Sequence, residues 1–220
     1  MTALYIGVYG ASGFGKEVMP LVRQQYPNLG KEQFLFIDDG QAGSTLSGYP
    51  VLSYADFLAN SNEKKGVVIA IANSQVREKL TSQLLVDQIQ QLHIQANNAV
   101  IAEEAEIAEG GLFCAFTCVT SNAKIGKGFH ANIYSYVAHD CIIGDFVTFA
   151  PGVKCNGNVH IEDHAYIGTG AIIKQGTSER PVVIGKGAIV GMGAVVTKSI
   201  PAGVTVIGNP AKPLGRNING

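Results

Sequence analysis

The 220-residue sequence predicts an α/β domain of Rossmann-like type followed by a left-handed parallel β-helix of hexapeptide repeats. Three observations carry this prediction. Short apolar runs alternate with helix-like segments over residues 1–95. From Ile101 to Ile173, every sixth residue is apolar. Glycine occurs 27 times without a collagen-like period, which is well above the usual ~7% share and indicates a repeat that needs glycine.

The first domain, residues 1–95, is predicted to contain a parallel sheet because β-prone runs and helical segments alternate. Strands are expected at Leu4–Tyr9, at Phe34–Ile37 and over residues 66–72. A helix is expected over residues 16–26, where the apolar residues with helical spacing are Val18, Met19, Leu21 and Val22.

A further helix is expected after residue 72, with Asn73 or Ser74 as its N-cap. Four apolar residues are predicted to share the buried face of this helix: Val76, Leu80, Leu84 and Leu85.

The second domain, residues 96–220, carries the six-residue period without interruption over thirteen repeats. The apolar series is Ile101, Ile107, Phe113, Val119, Ile125, Ala131, Val137, Ile143, Phe149, Cys155, Ile161, Ile167 and Ile173. Neither a helix of 3.6 residues per turn nor an alternating strand needs this period, and sandwich strands lack a fixed spacing of six. A triangular coil with three six-residue sides accounts for it, and successive coils would stack as parallel strands.

Glycine follows the apolar position at Gly126, Gly144 and Gly168, where we expect it to permit a tight turn. The register breaks once, because Ile173 and Ile184 are eleven residues apart. Residues 176–181 are therefore predicted to leave the coil as a loop, after which Ile184, Val190 and Val196 resume the pattern.

Composition and charge exclude several classes of function. A net charge of −1 gives no attraction to nucleic acid, and no apolar run is long enough for membrane insertion. The N-terminal residues lack the features of an export signal, so we expect a cytoplasmic protein with four reduced cysteines. Cys114 and Cys118 have no second pair with the spacing of a zinc site, and no metal is predicted.

Three segments carry a resemblance to a known family: residues 10–15 (GASGFG), 135–146 (SYVAHDCIIGDF) and 207–212 (IGNPAK). The chain resembles bacterial nucleotide-sugar acetyltransferases with hexapeptide repeats. This group contains the UDP-4-amino-sugar N-acetyltransferases of bacillosamine synthesis, the GDP-perosamine N-acetyltransferases and the sialic acid O-acetyltransferases. The resemblance implies acetyl-CoA as co-substrate and a homotrimer with its active site between adjacent β-helices.

His139 is the candidate general base, because imidazole can accept a proton from an attacking amine near neutral pH. The resemblance implies the same role for it. Asp140 either supports His139 or bonds only to a backbone turn. Asn132 matches an active-site position of the family, where it would orient the substrate or the base.

For acetyl-CoA, the resemblance implies contacts with Thr148, Gly157, Thr169 and Met192. Thr148 stands where some relatives have a second histidine, and Met192 where a glycine occurs. The length difference at residues 177–181 is a further point at which the cofactor groove can differ. A backbone N–H is the expected donor to the oxyanion.

Residues 10–15 space their glycines as GxxGxG, which is not the GxGxxG pattern of a dinucleotide site. A glycine turn before a helix exposes backbone N–H groups that favour phosphate, although it can also serve close packing alone. The resemblance implies a nucleotide-sugar diphosphate instead of a dinucleotide. Its expected contacts are Ser12, Gly13, Phe14, Asp38, Asp39 and Ala72, with Phe14 replacing a histidine common in the family.

The resemblance therefore implies an acetyl-CoA-dependent N-acetyltransferase that acts on the amine of a nucleotide-linked sugar, with a UDP-4-amino-4,6-dideoxy sugar as the expected acceptor. Two alternatives stay open: a sugar O-acetyltransferase of the sialic acid type, and a trimeric scaffold without catalysis. A zinc enzyme of the β-helical carbonic anhydrase type is disfavoured, because His139 precedes the pair His160 and His164 by little more than one coil.

Overall fold

In the computed structural model, residues 4–59 and 64–215 are described. Residues 1–3, which belong to the segment without export-signal features, lie outside them. The chain divides into two compact units, Met1–Asn97 and Asn98–Gly220. The boundary expected between residues 95 and 96 falls just before this division.

The first unit is an α/β domain built on one sheet. Its elements are β1 (Leu4–Tyr9), α1 (Gly13–Gln25), a 3₁₀ turn (Lys31–Gln33), β2 (Phe34–Ile37), β3 (Thr45–Leu46), β4 (Tyr49–Leu52), α2 (Tyr54–Ala59), β5 (Lys64–Ile69), α3 (Ser74–Val86), β6 (Gln90–Gln91) and β7 (Ile94–Gln95). The strand order is β3-β4-β2-β1-β5-β6, and all neighbours are parallel except β3 and β4.

The predicted parallel sheet is confirmed, with two differences in its strands. β1 and β2 have the expected bounds, whereas β5 begins at Lys64 and ends at Ile69, before the expected residue 72. The chain turns after Ile69 because Asn73 already caps α3, its side chain accepting a hydrogen bond from the Val76 N–H at 3.0 Å. The β3–β4 hairpin and α2 are additional elements, too short to show a period in the sequence.

The predicted buried face of α3 is wrong at two positions. Leu80 and Leu84 are buried in the core, but Val76 and Leu85 are exposed. They flank the buried stripe on either side, and its central position is taken by Arg77. A charged residue at that position breaks the apolar pattern from which the face was inferred.

The second unit is a parallel β-helix of short strands. They are β8 (Val100–Ile101), β9 (Glu106–Ile107), β10 (Leu112–Phe113), β11 (Cys118–Val119), β12 (Lys124–Ile125), β13 (His130–Ala131), β14 (Tyr136–Val137), β15 (Ile142–Ile143), β16 (Thr148–Phe149), β17 (Lys154–Cys155), β18 (Val159–Ile161), β19 (Tyr166–Ile167), β20 (Ile172–Ile173), β21 (Val182–Ile184), β22 (Ile189–Val190), β23 (Val195–Val196), β24 (Thr205–Ile207) and β25 (Lys212–Pro213). They form three sheets, one for each side of the coil.

The six-residue period is the register of this β-helix. Strands of one sheet pair with a shift of 18 residues, as in Val119↔Val137 and Val137↔Cys155, which is one coil of three sides. The apolar positions of the period are buried from Phe113 to Ile173. Two of these residues, Phe113 and Phe149, form an aromatic cluster with Phe129 inside the β-helix. The ring centroids are 5.7 Å apart for Phe113–Phe129, which are tilted, and 5.1 Å apart for Phe129–Phe149, which meet edge to face.

The glycines that follow the apolar positions are needed for a different reason from the tight turn that the sequence predicted. Gly126, Gly144 and Gly168 do not occupy the positive-φ turn positions. A Cβ on Gly126 or Gly168 would lie 2.6–2.8 Å from backbone atoms of the next coil. These glycines therefore allow coils to approach closely, and the positive-φ turns are made by other residues.

The predicted loop leaves the coil where the register breaks. Before it, paired residues are 18 positions apart, as in Lys154↔Ile172, and across it they are 23 apart, as in Ile172↔Val195. Residues 177–180 are exposed, and Thr177 and Arg180 exchange backbone hydrogen bonds of 3.0 and 3.1 Å. Five additional residues thus form a closed loop, and Ile184, Val190 and Val196 are again buried behind it.

All four cysteines are free thiols, and Cys114, Cys141 and Cys155 are buried. Within residues 4–59 and 64–215, no helix is long and apolar enough to cross a membrane.

Candidate active site

His139 and Asp140 form a hydrogen-bonded pair at one corner of the β-helix. They follow β14 after one intervening residue, Ala138, and the Nδ1 atom of His139 lies 2.7 Å from Oδ2 of Asp140. The two side chains are 59% and 46% exposed, so the imidazole is accessible to a ligand. Asp140 was expected either to support His139 or to bond only to a backbone turn. The observed hydrogen bond favours the first alternative.

The charge state of Asp140 assigns the histidine tautomer. Hydrogen bonds from His139 and from Asn122 lower the pKa of Asp140, so its carboxylate is ionised at neutral pH. An ionised carboxylate only accepts hydrogen bonds, so the neutral imidazole must carry its proton on Nδ1. Its Nε2 atom then has a free lone pair, which is what a general base requires.

Asn122 completes this corner from the preceding coil. Its Nδ2 atom donates to Oδ1 of Asp140 at 3.1 Å. Asn122, Asp140 and Asn158 all have positive φ, between 54° and 59°, a conformation that Asn and Asp adopt more readily than most residues. Asn122 was not among the predicted site residues, although it precedes Asp140 by the 18 residues of one coil.

Gly157 provides the space occupied by the His139 ring. A Cβ at Gly157 would lie 2.5 Å from both Cε1 and Nε2 of His139. Any larger side chain would displace the imidazole. Within the described residues, no backbone hydrogen bond from the Gly157 N–H is found.

The other predicted residues of the β-helix lie at a different corner. Asn132 follows β13, one side of the coil before His139, and its Oδ1 atom accepts a hydrogen bond of 2.7 Å from the Ile133 N–H. Thr148 is buried on β16. Thr169 and Met192 follow β19 and β22 of the same sheet, and Met192 is 81% exposed.

One chain therefore does not bring all of these residues together. His139, Asp140 and Gly157 meet at one corner, whereas Asn132, Thr169 and Met192 share another. The two corners are separated by one side of the coil, about 15–20 Å for six extended residues.

In the first unit, the glycine turn joins β1 to the N-terminus of α1. Gly10 has a φ of 113°, and a Cβ there would lie 2.8 Å from the Ala70 carbonyl oxygen. Gly15 packs against the backbone of Gly10, but a Cβ on Gly13 would meet no atom within 4 Å. Close packing thus accounts for Gly10 and Gly15 and gives no reason for Gly13, which stands at an open helix N-terminus.

Ser12 is the N-cap residue of α1, and its side chain makes no capping hydrogen bond. The N-terminal N–H groups of this helix are therefore not satisfied by a cap from Ser12. Phe14 is half-buried in the first turn. This arrangement leaves the positive end of the helix dipole available for an anion.

Asp38 and Asp39 follow β2, and both carboxylates bind groups of the protein. Asp38 accepts from the Ala11 N–H at 3.1 Å, which ties it to the glycine turn. Asp39 accepts from the Tyr54 N–H at 2.8 Å at the start of α2. Burial and Asp39 together raise the pKa of Tyr9 to about 12. Both aspartates therefore shape this edge of the sheet, whatever else they contact.

Ala72 is exposed in the link between β5 and α3. Its carbonyl oxygen accepts a hydrogen bond of 2.8 Å from Nη1 of Arg77. Arg77 was missed by the sequence prediction, because nothing in a single sequence distinguishes a buried arginine from a solvated one.

His160 and His164 were weighed as metal ligands of a carbonic anhydrase type. Among the described residues, no group of three or more His, Cys, Asp or Glu side chains has the arrangement to hold a metal ion. His160 lies instead beside a cleft of about 440 Å³, together with Ile142, Glu162 and Lys186.

The chain is similar to known proteins over nearly its whole length. Residues 5–84 match the PglD N-terminal domain. The GDP-perosamine N-acetyltransferase of Escherichia coli O157:H7 is 49% identical over 96% of both chains. The structure of WeeI from Acinetobacter baumannii AYE is 73% identical, covers 96% of this chain and 100% of its own, and superposes with a TM-score of 0.95.

A second solved structure is the acetyltransferase domain of PglB from Neisseria gonorrhoeae FA1090, in complex with acetyl coenzyme A. It is 31% identical, covers 97% of this chain and 100% of its own, and has a TM-score of 0.86. Together with the α/β unit and the β-helix, these similarities define the chain as an acyltransferase. It belongs to the bacterial family of nucleotide-sugar acetyltransferases with hexapeptide repeats.

Proposed function

We propose that this protein transfers the acetyl group of acetyl-CoA to the amine of a nucleotide-linked amino sugar, with His139 as the general base. The hydrogen bond of 2.7 Å between His139 Nδ1 and Asp140 carries the proposal, because it leaves Nε2 free to accept a proton. The PglB domain that binds acetyl coenzyme A and the relative named GDP-perosamine N-acetyltransferase support the two substrate classes.

The proposed reaction is a direct transfer without a covalent enzyme intermediate. The amine nitrogen attacks the acetyl carbonyl carbon while Nε2 of His139 takes one of its protons. The negative charge that develops on the carbonyl oxygen is proposed to be stabilised by the backbone N–H of Gly157, the residue that packs against the imidazole ring. The C–S bond then breaks, and the CoA thiolate takes the proton from His139.

Asp140 is proposed to orient the imidazole and to stabilise its protonated form. Asn132, Thr148, Thr169 and Met192 are proposed to bind acetyl-CoA or the acceptor at the other corner. Because that corner is about 15–20 Å from His139 in one chain, a single acetyl-CoA would contact both sets more readily across two chains. This consideration supports the homotrimer, with its active sites between adjacent β-helices.

The first unit is proposed to bind the nucleotide sugar. The N-terminus of α1 at Ser12 and Gly13 suits a diphosphate, because the Ser12 side chain makes no cap there and the helix dipole favours an anion. Phe14, Asp38, Asp39 and Ala72 are proposed to line the same site. The acceptors to compare are a UDP-4-amino-4,6-dideoxy sugar and GDP-perosamine, the sugar in the relative's name.

The test is the rate of CoA release with each acceptor for the wild type and for His139→Ala. The variant is expected to lose at least ~100-fold in turnover, the low end for a general base. His160→Ala, a histidine on the same β-helix outside this corner, should retain wild-type turnover. A folded His139→Ala variant with near-wild-type turnover would refute the mechanism.

A further inference from the structure

Arg77 is the largest side chain that the fold buries almost completely, with 1% of its surface exposed. It lies in the first turns of α3, on the face that packs against the sheet. Burying a guanidinium removes it from water, and arginine is seldom fully buried unless its donors are used. An aliphatic side chain would pack at this position without the free-energy cost of burying a charge. Packing alone therefore does not explain an arginine here.

The donors of Arg77 hold the link between β5 and α3. Its Nη1 atom donates to the carbonyl oxygens of Ile71 at 3.0 Å and of Ala72 at 2.8 Å. Consecutive carbonyls of an extended chain point in opposite directions, so two that meet at one nitrogen require a bent backbone. Arg77 thus fixes the shape of the link from within.

This link lies at the carboxyl edge of the parallel sheet, beside the glycine turn. The Ala70 N–H donates to the Tyr9 carbonyl oxygen at 2.8 Å, and Gly10 comes so close to the Ala70 carbonyl that a Cβ does not fit. The carboxyl edge of such a sheet is where ligands of α/β domains bind. The link and the N-terminus of α1 therefore border the same part of the unit.

The charge of Arg77 also suits an anionic ligand. Burial lowers its pKa to about 9, so the group remains cationic at neutral pH. It draws two carbonyl oxygens, which would repel a diphosphate, toward the interior of the unit. Both effects make this edge of the sheet more favourable for a negative charge.

We propose that Arg77 is a positioning residue for the nucleotide-sugar site, holding residues 71 and 72 in the conformation that receives the nucleoside diphosphate. It acts through the backbone of the link and does not touch the reacting atoms. This inference rests on the proposed function, since it assigns the nucleotide to the first unit.

The test compares Arg77→Met with Leu84→Ala, a substitution on the same buried face of α3 that does not involve the link. Both variants should lower the melting temperature. Only Arg77→Met should raise KM for the nucleotide sugar, by about tenfold to hundredfold for a displaced binding segment, with kcat and KM for acetyl-CoA within about twofold. Arg77→Lys, which keeps the charge but not the planar fork, should show an intermediate KM.

Equal KM increases in Arg77→Met and Leu84→Ala would overturn the inference, because the effect would then follow from lost stability. If Arg77→Met does not fold, amide hydrogen exchange of the wild type is measured with and without GDP or UDP. The inference predicts slower exchange at residues 71–73 with the nucleotide, and unchanged exchange there would contradict the inference. A wild type that neither binds these nucleotides nor releases CoA would refute the proposed function itself, whereas normal wild-type turnover with an unchanged KM in Arg77→Met would refute only this inference.

Discussion

At the scale of single residues, the corner around His139 combines a base, its orienting carboxylate and an open space beneath the ring. His139 and Asp140 are adjacent in sequence, so the pair was predicted from the segment that contains them. Asn122 and Gly157 are not adjacent to it; they meet it only because coils stack with a shift of 18 residues. Identifying them from sequence requires counting one coil back or forward, which the six-residue period permits.

Gly157→Ala tests whether the space beneath the ring matters for catalysis. The added Cβ would displace the imidazole, so turnover should fall by about 100-fold, the cost of misplacing a catalytic group. The control is the same substitution in the His139→Ala variant, where it should have almost no further effect. Turnover that falls equally in both backgrounds would show that Gly157 acts independently of His139.

Asp140→Asn tests the orienting role of the carboxylate. Loss of a partner that fixes the tautomer should lower kcat/KM by roughly tenfold to hundredfold. Asp145→Asn is the matched control, because the Asp145 carboxylate accepts a hydrogen bond from the Lys127 N–H at another corner and has no hydrogen bond with His139. Equal losses in the two variants would assign Asp140 a purely structural role.

The pKa of Asp140 gives this pair a defined dependence on pH. A carboxyl with a lowered pKa in the folded chain stabilises the fold above its unfolded pKa, and that contribution is lost as the pH falls through the folded value. Asn122→Ala removes one of the two donors, so the pKa of Asp140 should rise. Titration of the carboxyl carbon by NMR measures this shift, and an unchanged midpoint would contradict the assigned hydrogen bond.

At the scale of elements, the β-helix was predictable because the six-residue period of apolar residues determines which strands pair. Each apolar position of the period is the last residue of a short strand, and these positions pair between coils, as in Val119↔Val137. The predicted reason for Gly126, Gly144 and Gly168 was wrong, since contacts between coils appear only when the coils are stacked. The buried face of α3 was mispredicted at Val76 and Leu85, because the buried stripe is centred on Arg77, a residue type that apolar periodicity does not place in a core.

Phe149→Ala tests the cluster of Phe113, Phe129 and Phe149 as the centre of the β-helix core. Phe149 is fully buried, so its truncation should lower the free energy of unfolding by about 3–5 kcal/mol. Phe116→Ala is the control, because Phe116 is 55% exposed and stacks only on Tyr134, 4.9 Å away. Its cost should not exceed about 1.5 kcal/mol, and equal costs of the two substitutions in chemical denaturation would argue against the buried cluster as a core element.

At the scale of the whole molecule, the proposed assembly follows from the separation of the two corners. Light scattering of the purified protein should give three times the chain mass of 23.1 kDa. A monomeric mass with full activity would contradict a site shared between chains.

The residues themselves did not predict which nucleotide the first unit accepts. Asp38 and Asp39 are engaged with the Ala11 and Tyr54 N–H groups, and no base-specific pattern is evident in the sequence.

The central claim is N-acetylation of a nucleotide-linked amino sugar, and the most direct measurement is the mass of the product before and after mild alkali. The protein is incubated with acetyl-CoA and, in separate reactions, GDP-perosamine and a UDP-4-amino-4,6-dideoxy sugar. With at least one of the two acceptors, we expect a product that is heavier by one acetyl group and survives alkali, because amides persist where esters hydrolyse. A product that reverts to the starting sugar in alkali, or acetyl-CoA left intact with both acceptors, would contradict it.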